Sequence, residues 1–502
     1  MRSLPALIAA SAFTLVSVGQ AGKALAQVGQ FPFALTREGQ MLGAVEGDVA
    51  SFKGLAYASA PVGALRWRAP QPAPESSEMR TAYDYGPACL QPATPHASED
   101  CLTLNVFRPF GVDGPLPVMV FIHGGAFATG TANDPLFDGA RLAQAGVIVV
   151  TLNYRLGAFG WLVHSALAEG ASTRPIANYG MMDQIAALRW VRDNIAAFGG
   201  NPANVTLFGT GSGAISVALL MLCQQSRELF QKAILQSVSG RERLHSLQTA
   251  EVVGQQFLAL VGRDGRMLDP RAVDARRLLA AEQLLLSRSP RSFGATADGI
   301  LVKEDVAAGF RAGRESRIPL IIGSNEDETS YGSEPDLKEE LAFAGETVDE
   351  LRTLYPEVAG TPADLAARLN TDRMFTEPVR LLARSHAVTG APTFRYRFSY
   401  VPESQRASGD GGHGRELQFI FGAEGVPGAG VFARRDREIA DLLRTYWTNF
   451  AKTGDPNGPG LPHWDASSNR ESLLLISNDR ITSGDDPWSG RLDRVERRSS
   501  KD

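Results

Sequence analysis

The stretch NVTLFGTGSGAISVALLML, residues 204–222, changes its pattern twice. It begins with NVTLF, a short run rich in β-branched and apolar residues that is typical of a buried strand. The small-residue turn GTGSG follows, and the apolar run ISVALLML after it favours a helix. A strand that leads through a sharp turn into a helix is a building unit of sheets with parallel strands. This stretch therefore predicts an α/β fold.

The same alternation recurs along the chain. Other strand-like runs are LPVMVFIHGG, AGVIVVTLNY and IPLIIGSN, and MDQIAALRWVRDNIAAF has a helical pattern. Such alternation indicates a mostly parallel central sheet with helices on both faces, and the chemistry of such sheets lies at the carboxyl ends of the strands. Residues of about 245–395 are richer in charged helical patterns and are expected to form cap-like helical insertions. The charged tail RLDRVERRSSKD is expected to be disordered.

The N-terminal residues differ from the rest of the chain. They hold one early Arg, an apolar run from Leu4 to Val18, and then Ala24-Leu25-Ala26. This order predicts a secretory signal peptide over residues 1–26, with cleavage after Ala21 as the alternative. Residues 27–502 are then expected to form a single exported domain, secreted or periplasmic. No later segment is long and apolar enough to predict a transmembrane helix.

Composition excludes several classes of function. The formal net charge is −5 and is spread through the chain, which argues against a nucleic-acid binder. No cluster of His and carboxylates has metal-ligand spacing and no loop is built to hold phosphate, so neither a metal nor a cofactor is expected. Cys89 and Cys101 are close enough in sequence to close a small disulfide loop in an exported protein. Cys223 lies in an apolar run and is expected to be a buried thiol.

The turn at residues 209–213 matches the setting of the nucleophile elbow, G-x-S-x-G, of hydrolases. Its central position holds Gly211, and the serine comes one place later, at Ser212. Ser212 could attack the substrate through a locally shifted turn. Alternatively, a histidine could activate a water in the space that the missing side chain leaves.

Two glycine-rich stretches supply groups that such chemistry needs. FIHGGAF, residues 121–127, follows a strand-like run, and its glycines let backbone amides approach a developing oxyanion. His123 in this turn is expected to shape it rather than to transfer protons. DGGHGRELQFIFG, residues 410–422, presents His413 between glycines and is expected to hold it in a cleft.

The acid of the site is expected in GSNEDETSY, residues 323–331, which follows a strand-like run. Glu326, Asp327 or Glu328 could each orient a histidine, and at least two of them are expected to be ordinary solvated acids. The chain order elbow, acid, histidine is that of the α/β-hydrolase triad.

These motifs resemble those of the type-B carboxylesterases, which include cholinesterases and bacterial para-nitrobenzyl esterases. Further matching stretches are FKGLAYASAPVGALRWRAPQP, EDCLTLNVFRP, NYRLGAFGW, LFQKAILQS and WTNFAKTGDPN, so that the resemblance extends from about residue 50 to 457. It implies an α/β-hydrolase fold and a small-molecule carboxylic ester as the substrate. The loop between Cys89 and Cys101 contains no Trp, so a choline ester is not expected.

The resemblance also implies a role for each site residue. It makes Glu328 the acid, His413 the base, and Cys89–Cys101 a disulfide. The oxyanion amides fall on Gly124, Gly125 and Ser212. The nucleophile position falls on Gly211, because the stretches on both sides align without a gap.

Three functions remain open from the sequence. The first is an exported carboxylic-ester hydrolase with an unusual elbow. The second is a catalytically silent relative that binds a ligand or a protein, because the neuroligins, which are adhesion proteins, also carry glycine at the elbow. The third is an esterase frame that uses His413 as the base of an elimination. We expect a monomer or a dimer.

Overall fold

The computed structural model describes residues 31–168, 176–262, 269–329, 335–358, 360–405, 412–427, 429–467 and 471–500. The expected signal peptide, residues 1–26, lies outside these ranges. The strands are β1 (Phe33–Thr36), β2 (Gly39–Leu42), β3 (Ala44–Glu46), β4 (Val49–Ala56), β5 (Met79–Thr81), β6 (Thr103–Pro109), β7 (Leu116–Ile122), β8 (Ile148–Leu152), β9 (Gly200–Thr210), β10 (Lys232–Gln236), β11 (His245–Ser246), β12 (Thr296–Ala297), β13 (Leu320–Asn325), β14 (Thr393–Phe398), β15 (Leu473–Ile476) and β16 (Ile481–Gly484).

The helices lie between and beyond these strands. They are α1 (Ala140–Gln144), α2 (Gly157–Trp161), α3 (Tyr179–Asn194), α4 (Ser212–Leu222), α5 (Leu247–Val261), α6 (Ala275–Leu286), α7 (Val306–Arg311), α8 (Leu337–Ala344), α9 (Val348–Leu354), α10 (Pro362–Thr371), α11 (Glu377–Val388), α12 (Leu417–Ile420), α13 (Arg434–Thr453) and α14 (Ser489–Ser499). Within the described residues, no helix combines the length and the apolar character that crossing a bilayer requires.

One large sheet forms the centre of the fold, in the strand order β16-β15-β14-β13-β10-β9-β7-β8-β6-β4-β3. Its middle, from β15 to β8, pairs in parallel, and the outer pairs are antiparallel. The predicted mostly parallel sheet is therefore confirmed. Because the middle strands are parallel, the carboxyl ends of β9, β10 and β13 lie at one edge of the sheet, where ligands bind in folds of this class.

The sheet is covered on both faces, as the continuous apolar runs predict. Successive side chains of β7 enter two different cores: Val118 and Val120 join one, and Met119 and Phe121 join the other. In the second core the ring of Phe121 lies 4.9 Å from that of Phe208 on β9. These contacts hold β7 and β9 rigidly, so the two turns that follow them are fixed relative to each other.

The segment 245–395, which was expected to form cap-like helical insertions, contains the helices α5 to α11 but is not a continuous insertion. It contains β13, which pairs in parallel with β10 on one side and with β14 on the other. The helical parts of this segment therefore lie before and after a strand of the central sheet.

The C-terminal tail was expected to be disordered, and for its described part this prediction is wrong. Residues Ser489–Ser499 form α14. Leu492 and Val495, three positions apart on one helix face, are buried. Arg491 Nε lies 2.8 Å from the buried carboxylate of Asp372. Although most residues of the tail are charged or polar, a short apolar face and one ion pair hold this helix against the protein.

The cysteines follow the expected pairing. Cys89 and Cys101 form a disulfide, and Cys223 is a buried free thiol.

Candidate active site

The turn between β9 and α4 has the conformation of a sharp elbow centred on Gly211. Its φ of 54° and ψ of −120° lie where most L-residues are strained and glycine is not. The Gly211 amide donates to the Gln236 carbonyl at 3.0 Å, and the Gly211 carbonyl accepts from Ile215 at 3.0 Å. The elbow is therefore anchored to β10 on one side and to its own helix on the other, without a side chain at its centre.

His413 and Glu328 are brought together at the carboxyl edge of the sheet. Nδ1 of His413 lies 2.6 Å from Oε2 of Glu328, whose side chain is completely buried. The other carboxylate oxygen, Oε1, accepts from Ser237 Oγ and from the Asn325 amide, each at 2.7 Å. With both oxygens engaged, Glu328 is fixed in orientation and in turn fixes the imidazole.

The two neighbouring acids have other partners. Glu326 pairs with Arg397, at 2.6 Å, and with Arg368. Asp327 accepts from the amide and the hydroxyl of Thr329 within its own loop. Of the three acids that the sequence offered, Glu328 is the one hydrogen-bonded to His413.

The other ring nitrogen of His413 approaches the centre of the elbow. A Cβ atom built on Gly211 would lie 2.6 Å from Nε2 and 3.3 Å from Cε1. The imidazole, which is 14% exposed, therefore stands beside the place where a nucleophile side chain would begin. Phe375 packs against the ring, with centroids 5.2 Å apart.

The turn after β7 faces the same site. Gly125, Ala126 and Phe127 have consecutive positive φ values of 114°, 54° and 60°. A Cβ on Gly125 would lie 2.1 Å from the Thr129 carbonyl oxygen, so the turn requires glycine there. Gly124, Gly125 and His413 line one cavity of about 560 Å³. Backbone amides thus border the space in which a carbonyl oxygen would have to lie.

Ser212 is the first residue of α4 and is fully buried. Its hydroxyl accepts a hydrogen bond from the Phe127 amide at 3.3 Å. The side chain therefore ties the elbow to the turn after β7, while its amide belongs to the N-terminal turn of α4, where backbone N–H groups are directed toward anions.

His123 shapes the turn, as expected. Its Nδ1 lies 2.8 Å from the Gly124 carbonyl, to which it donates, and its ring stacks on that of Tyr154. Burial lowers the pKa of His123 to about 4, so the ring is neutral near pH 7.

Sequence reasoning missed a buried polar network behind Glu328. Glu416 is buried and accepts from Asn325 Nδ2 at 2.7 Å and from Gln236 Nε2 at 2.8 Å. Burial raises the pKa of Glu416, and the nearby carboxylate of Glu328 adds to this. Ser237 has a positive φ of 55°, which is unusual for a non-glycine residue. The position of two of these residues could have indicated the network. Gln236 and Asn325 are the last residues of β10 and β13, at the edge of the sheet where the site was expected.

Comparison with known proteins agrees with this geometry. The family model described as the carboxylesterase family matches residues 30–486. The para-nitrobenzyl esterase of Bacillus subtilis (strain 168) is 36% identical, over 92% of this chain and 97% of its own length. Neuroligin-3 of Mus musculus is 33% identical, over 82% of this chain and 59% of its own length. The solved structure of the Geobacillus stearothermophilus carboxylesterase EST55 is 34% identical, with a TM-score of 0.81 over 92% of this chain and 99% of its own. The chain therefore belongs to the carboxylesterase family of ester hydrolases.

Proposed function

We propose that the protein is an exported carboxylic-ester hydrolase in which His413, oriented by Glu328, activates a water molecule directly. One observation carries this proposal: Nε2 of His413 points at the place of the missing nucleophile while Nδ1 is held by Glu328. A base aimed at that place can act on water as it would act on a serine hydroxyl.

The reaction then has one chemical stage instead of two. Nε2 of His413 takes a proton from water as the water oxygen bonds to the ester carbonyl carbon. The carbonyl electron pair moves onto oxygen, and the amides of Gly124, Gly125 and Ser212 hold the resulting oxyanion. When the carbonyl forms again, the bond to the alcohol oxygen breaks, and that oxygen takes the proton from His413. The products are a carboxylic acid and an alcohol.

Ser212 is not the nucleophile in this proposal. Its hydroxyl is buried and engaged with the Phe127 amide, whereas attack requires it to face His413. Turning it toward the imidazole would break that contact and distort the first turn of α4.

Two observations support export. The N-terminal residues have the order of a secretory signal peptide. The Cys89–Cys101 disulfide belongs to a compartment in which disulfides persist.

The test is turnover of short-chain 4-nitrophenyl esters by the purified protein, compared with His413→Ala and with His463→Ala. His463 is an exposed histidine outside the site, with a side chain 74% exposed. We expect His413→Ala to lower kcat/KM by about a hundredfold or more, and His463→Ala to leave it unchanged. Rapid mixing should show no burst of nitrophenolate, since no acyl-enzyme accumulates.

A catalytically silent binding protein is the second candidate. The observation that favours it is the same short approach between Gly211 and His413, because an imidazole this close leaves little room for an attacking group. If esters of every acyl length tested show no turnover above background, the protein is a catalytically silent binding protein. An elimination would instead yield an unsaturated product, which mass spectrometry of the reaction mixture detects.

A further inference from the structure

The catalytic cavity has a predominantly apolar wall beyond the oxyanion turn. Its apolar side chains include those of Phe127, Leu136, Phe137, Phe293 and Leu417. Such a wall suits a hydrocarbon segment of the substrate next to the ester carbonyl.

A second cavity, of about 840 Å³, continues from the first. The two cavities have five lining residues in common: Ser239, Glu242, Arg243, His245 and Arg291. A substrate that fills the catalytic cavity can therefore extend into the second cavity past these side chains.

The second cavity is rich in guanidinium groups. Its lining contains Arg241, Arg243, Arg291, Arg311 and Arg373, against the carboxylates of Glu242, Asp305 and Glu496. The lining itself holds five cationic and three anionic side chains. Two of these guanidinium groups are neutralised from behind the wall, because Arg241 pairs with Glu377 and Arg373 pairs with Glu340. The positive charge that faces a ligand therefore comes from Arg311 and from Arg243 and Arg291, which line both cavities.

The carboxylates of this wall are already engaged. Glu242 bridges to Arg291 at 3.0 Å, and Asp305 accepts from the Leu244 amide at 2.9 Å. Glu496 pairs with Arg384. None of them forms an ion pair with Arg311, which has none within 4.0 Å among the described residues. Partial burial lowers the pKa of Arg311 and the guanidinium of Arg241 adds to this, whereas the carboxylates of Glu377 and Glu496 act in the opposite direction.

We propose that the preferred substrates are amphipathic anionic esters, with an apolar segment in the catalytic cavity and an anionic group bound by Arg243, Arg291 and Arg311. This inference rests on the proposed ester hydrolysis. Guanidinium groups form charge-assisted hydrogen bonds with carboxylate and phosphate alike, so the recognised chemistry is the anion.

The test compares two esters with the same suberoyl chain, 4-nitrophenyl hydrogen suberate and its neutral counterpart, 4-nitrophenyl methyl suberate, by the release of 4-nitrophenol. We expect kcat/KM to be about tenfold higher for the anionic ester, the gain of one hydrogen bond to a charged group. This ratio should fall as sodium chloride is raised, because salt screens exposed charges. A parallel series with phosphate in place of the distal carboxylate shows which anion is preferred.

Matched variants locate the effect. Arg311→Gln and Arg291→Gln should each lower the anionic-to-neutral ratio severalfold, whereas Glu242→Gln should raise it by releasing Arg291. Arg434→Gln removes an arginine that is 93% exposed and lines neither cavity, and should leave the ratio unchanged. Thermal unfolding of each variant confirms that it is folded. A ratio near one in the wild-type protein, or an equal fall with Arg434→Gln, would overturn the proposal.

Binding without turnover separates this proposal from the one on which it rests. Calorimetry with suberic acid monoanilide and its primary amide measures the anion preference even if no ester is hydrolysed. Preferential binding of the acid, lost in Arg311→Gln, supports the basic subsite independently of catalysis. Equal binding of the two anilides contradicts it.

Discussion

A Cβ atom on Gly211 and Nε2 of His413 would be 2.6 Å apart, closer than such atoms pack in folded proteins. The imidazole and a side chain at the elbow therefore compete for one space. Any substitution at Gly211 must move the ring of His413, and the effect on activity depends on whether the new side chain supplies a nucleophile.

Gly211→Ser should raise ester turnover by about a thousandfold or more. The new hydroxyl restores the nucleophile of an acyl-enzyme mechanism, whose loss typically costs about a millionfold. The ring of His413 is the end of a side chain and can withdraw by a few tenths of an ångström. The measurement is kcat/KM on short, long and aromatic 4-nitrophenyl esters, with a burst phase expected in rapid mixing.

Gly211→Ala is the matched control for this substitution, because it adds the same Cβ without the hydroxyl. It should lower turnover below that of the wild-type protein by displacing the imidazole. If the serine and alanine variants behave alike while both are folded, the site lacks something other than a nucleophile.

Glu328→Gln should lower kcat/KM by about a hundredfold or more, since an amide cannot stabilise the imidazolium that forms. Asp327→Asn is the control within the same loop, and its activity should stay close to that of the wild-type protein. Equal losses in the two variants would remove the basis for assigning the acid to Glu328.

Ser212→Ala should retain activity within about threefold, because alanine keeps the backbone amide that holds the oxyanion. The loss of one hydrogen bond to the Phe127 amide should lower the free energy of unfolding by about 1 kcal/mol. Peptide mass mapping after reaction with an activated ester is the second measurement. An acyl group found on Ser212 would contradict the proposed water mechanism.

The double variant Cys89→Ser/Cys101→Ser should lose about 3 kcal/mol of unfolding free energy, as expected for opening a short disulfide loop. Denaturant unfolding of the oxidised protein and the variant measures this difference. Intact-mass analysis of the non-reduced protein that found three free thiols would show that the bond does not form.

Glu282 should make stability depend on pH. Its carboxyl is buried against Gly157, and burial raises its pKa to about 8. The folded state therefore keeps a proton that the unfolded state releases above about pH 4.5, so stability falls as pH rises toward 8 and is level above it. The predicted loss is on the order of 5 kcal/mol. Glu282→Gln should flatten this part of the curve, which denaturant unfolding at several pH values between 5 and 9 would show.

The fold and the principal site residues could be predicted because their signals are local. Continuous apolar runs identify buried parallel strands, and small residues after them mark turns at the carboxyl edge. The helix over Ser489–Ser499 could not be predicted, because it is stabilised by Asp372, which is distant in sequence. Glu416 was missed for a similar reason, since its partners Gln236 and Asn325 come from two strands that are distant in sequence.

The position of His413 relative to Gly211 also could not be predicted from the sequence. The motifs indicate that both lie at one edge of the sheet, but the distance of 2.6 Å between Nε2 and a Cβ built on Gly211 depends on packing. Phe375 and Glu328, which set the ring's position, come from different parts of the chain.

The strand order of the central sheet determines the stage of synthesis at which each strand can pair with both of its neighbours. β7, β9 and β10 all come from residues 116–236, and the Cys89–Cys101 loop can close earlier still. β14 cannot pair with its second neighbour, β15, until residues 473–476 have been synthesised. A nascent chain that stalls before this point exposes one unpaired edge of β14, and an unpaired strand edge is a template for aggregation. Chains truncated just before residue 473 should therefore be more prone to aggregate than chains truncated after β15.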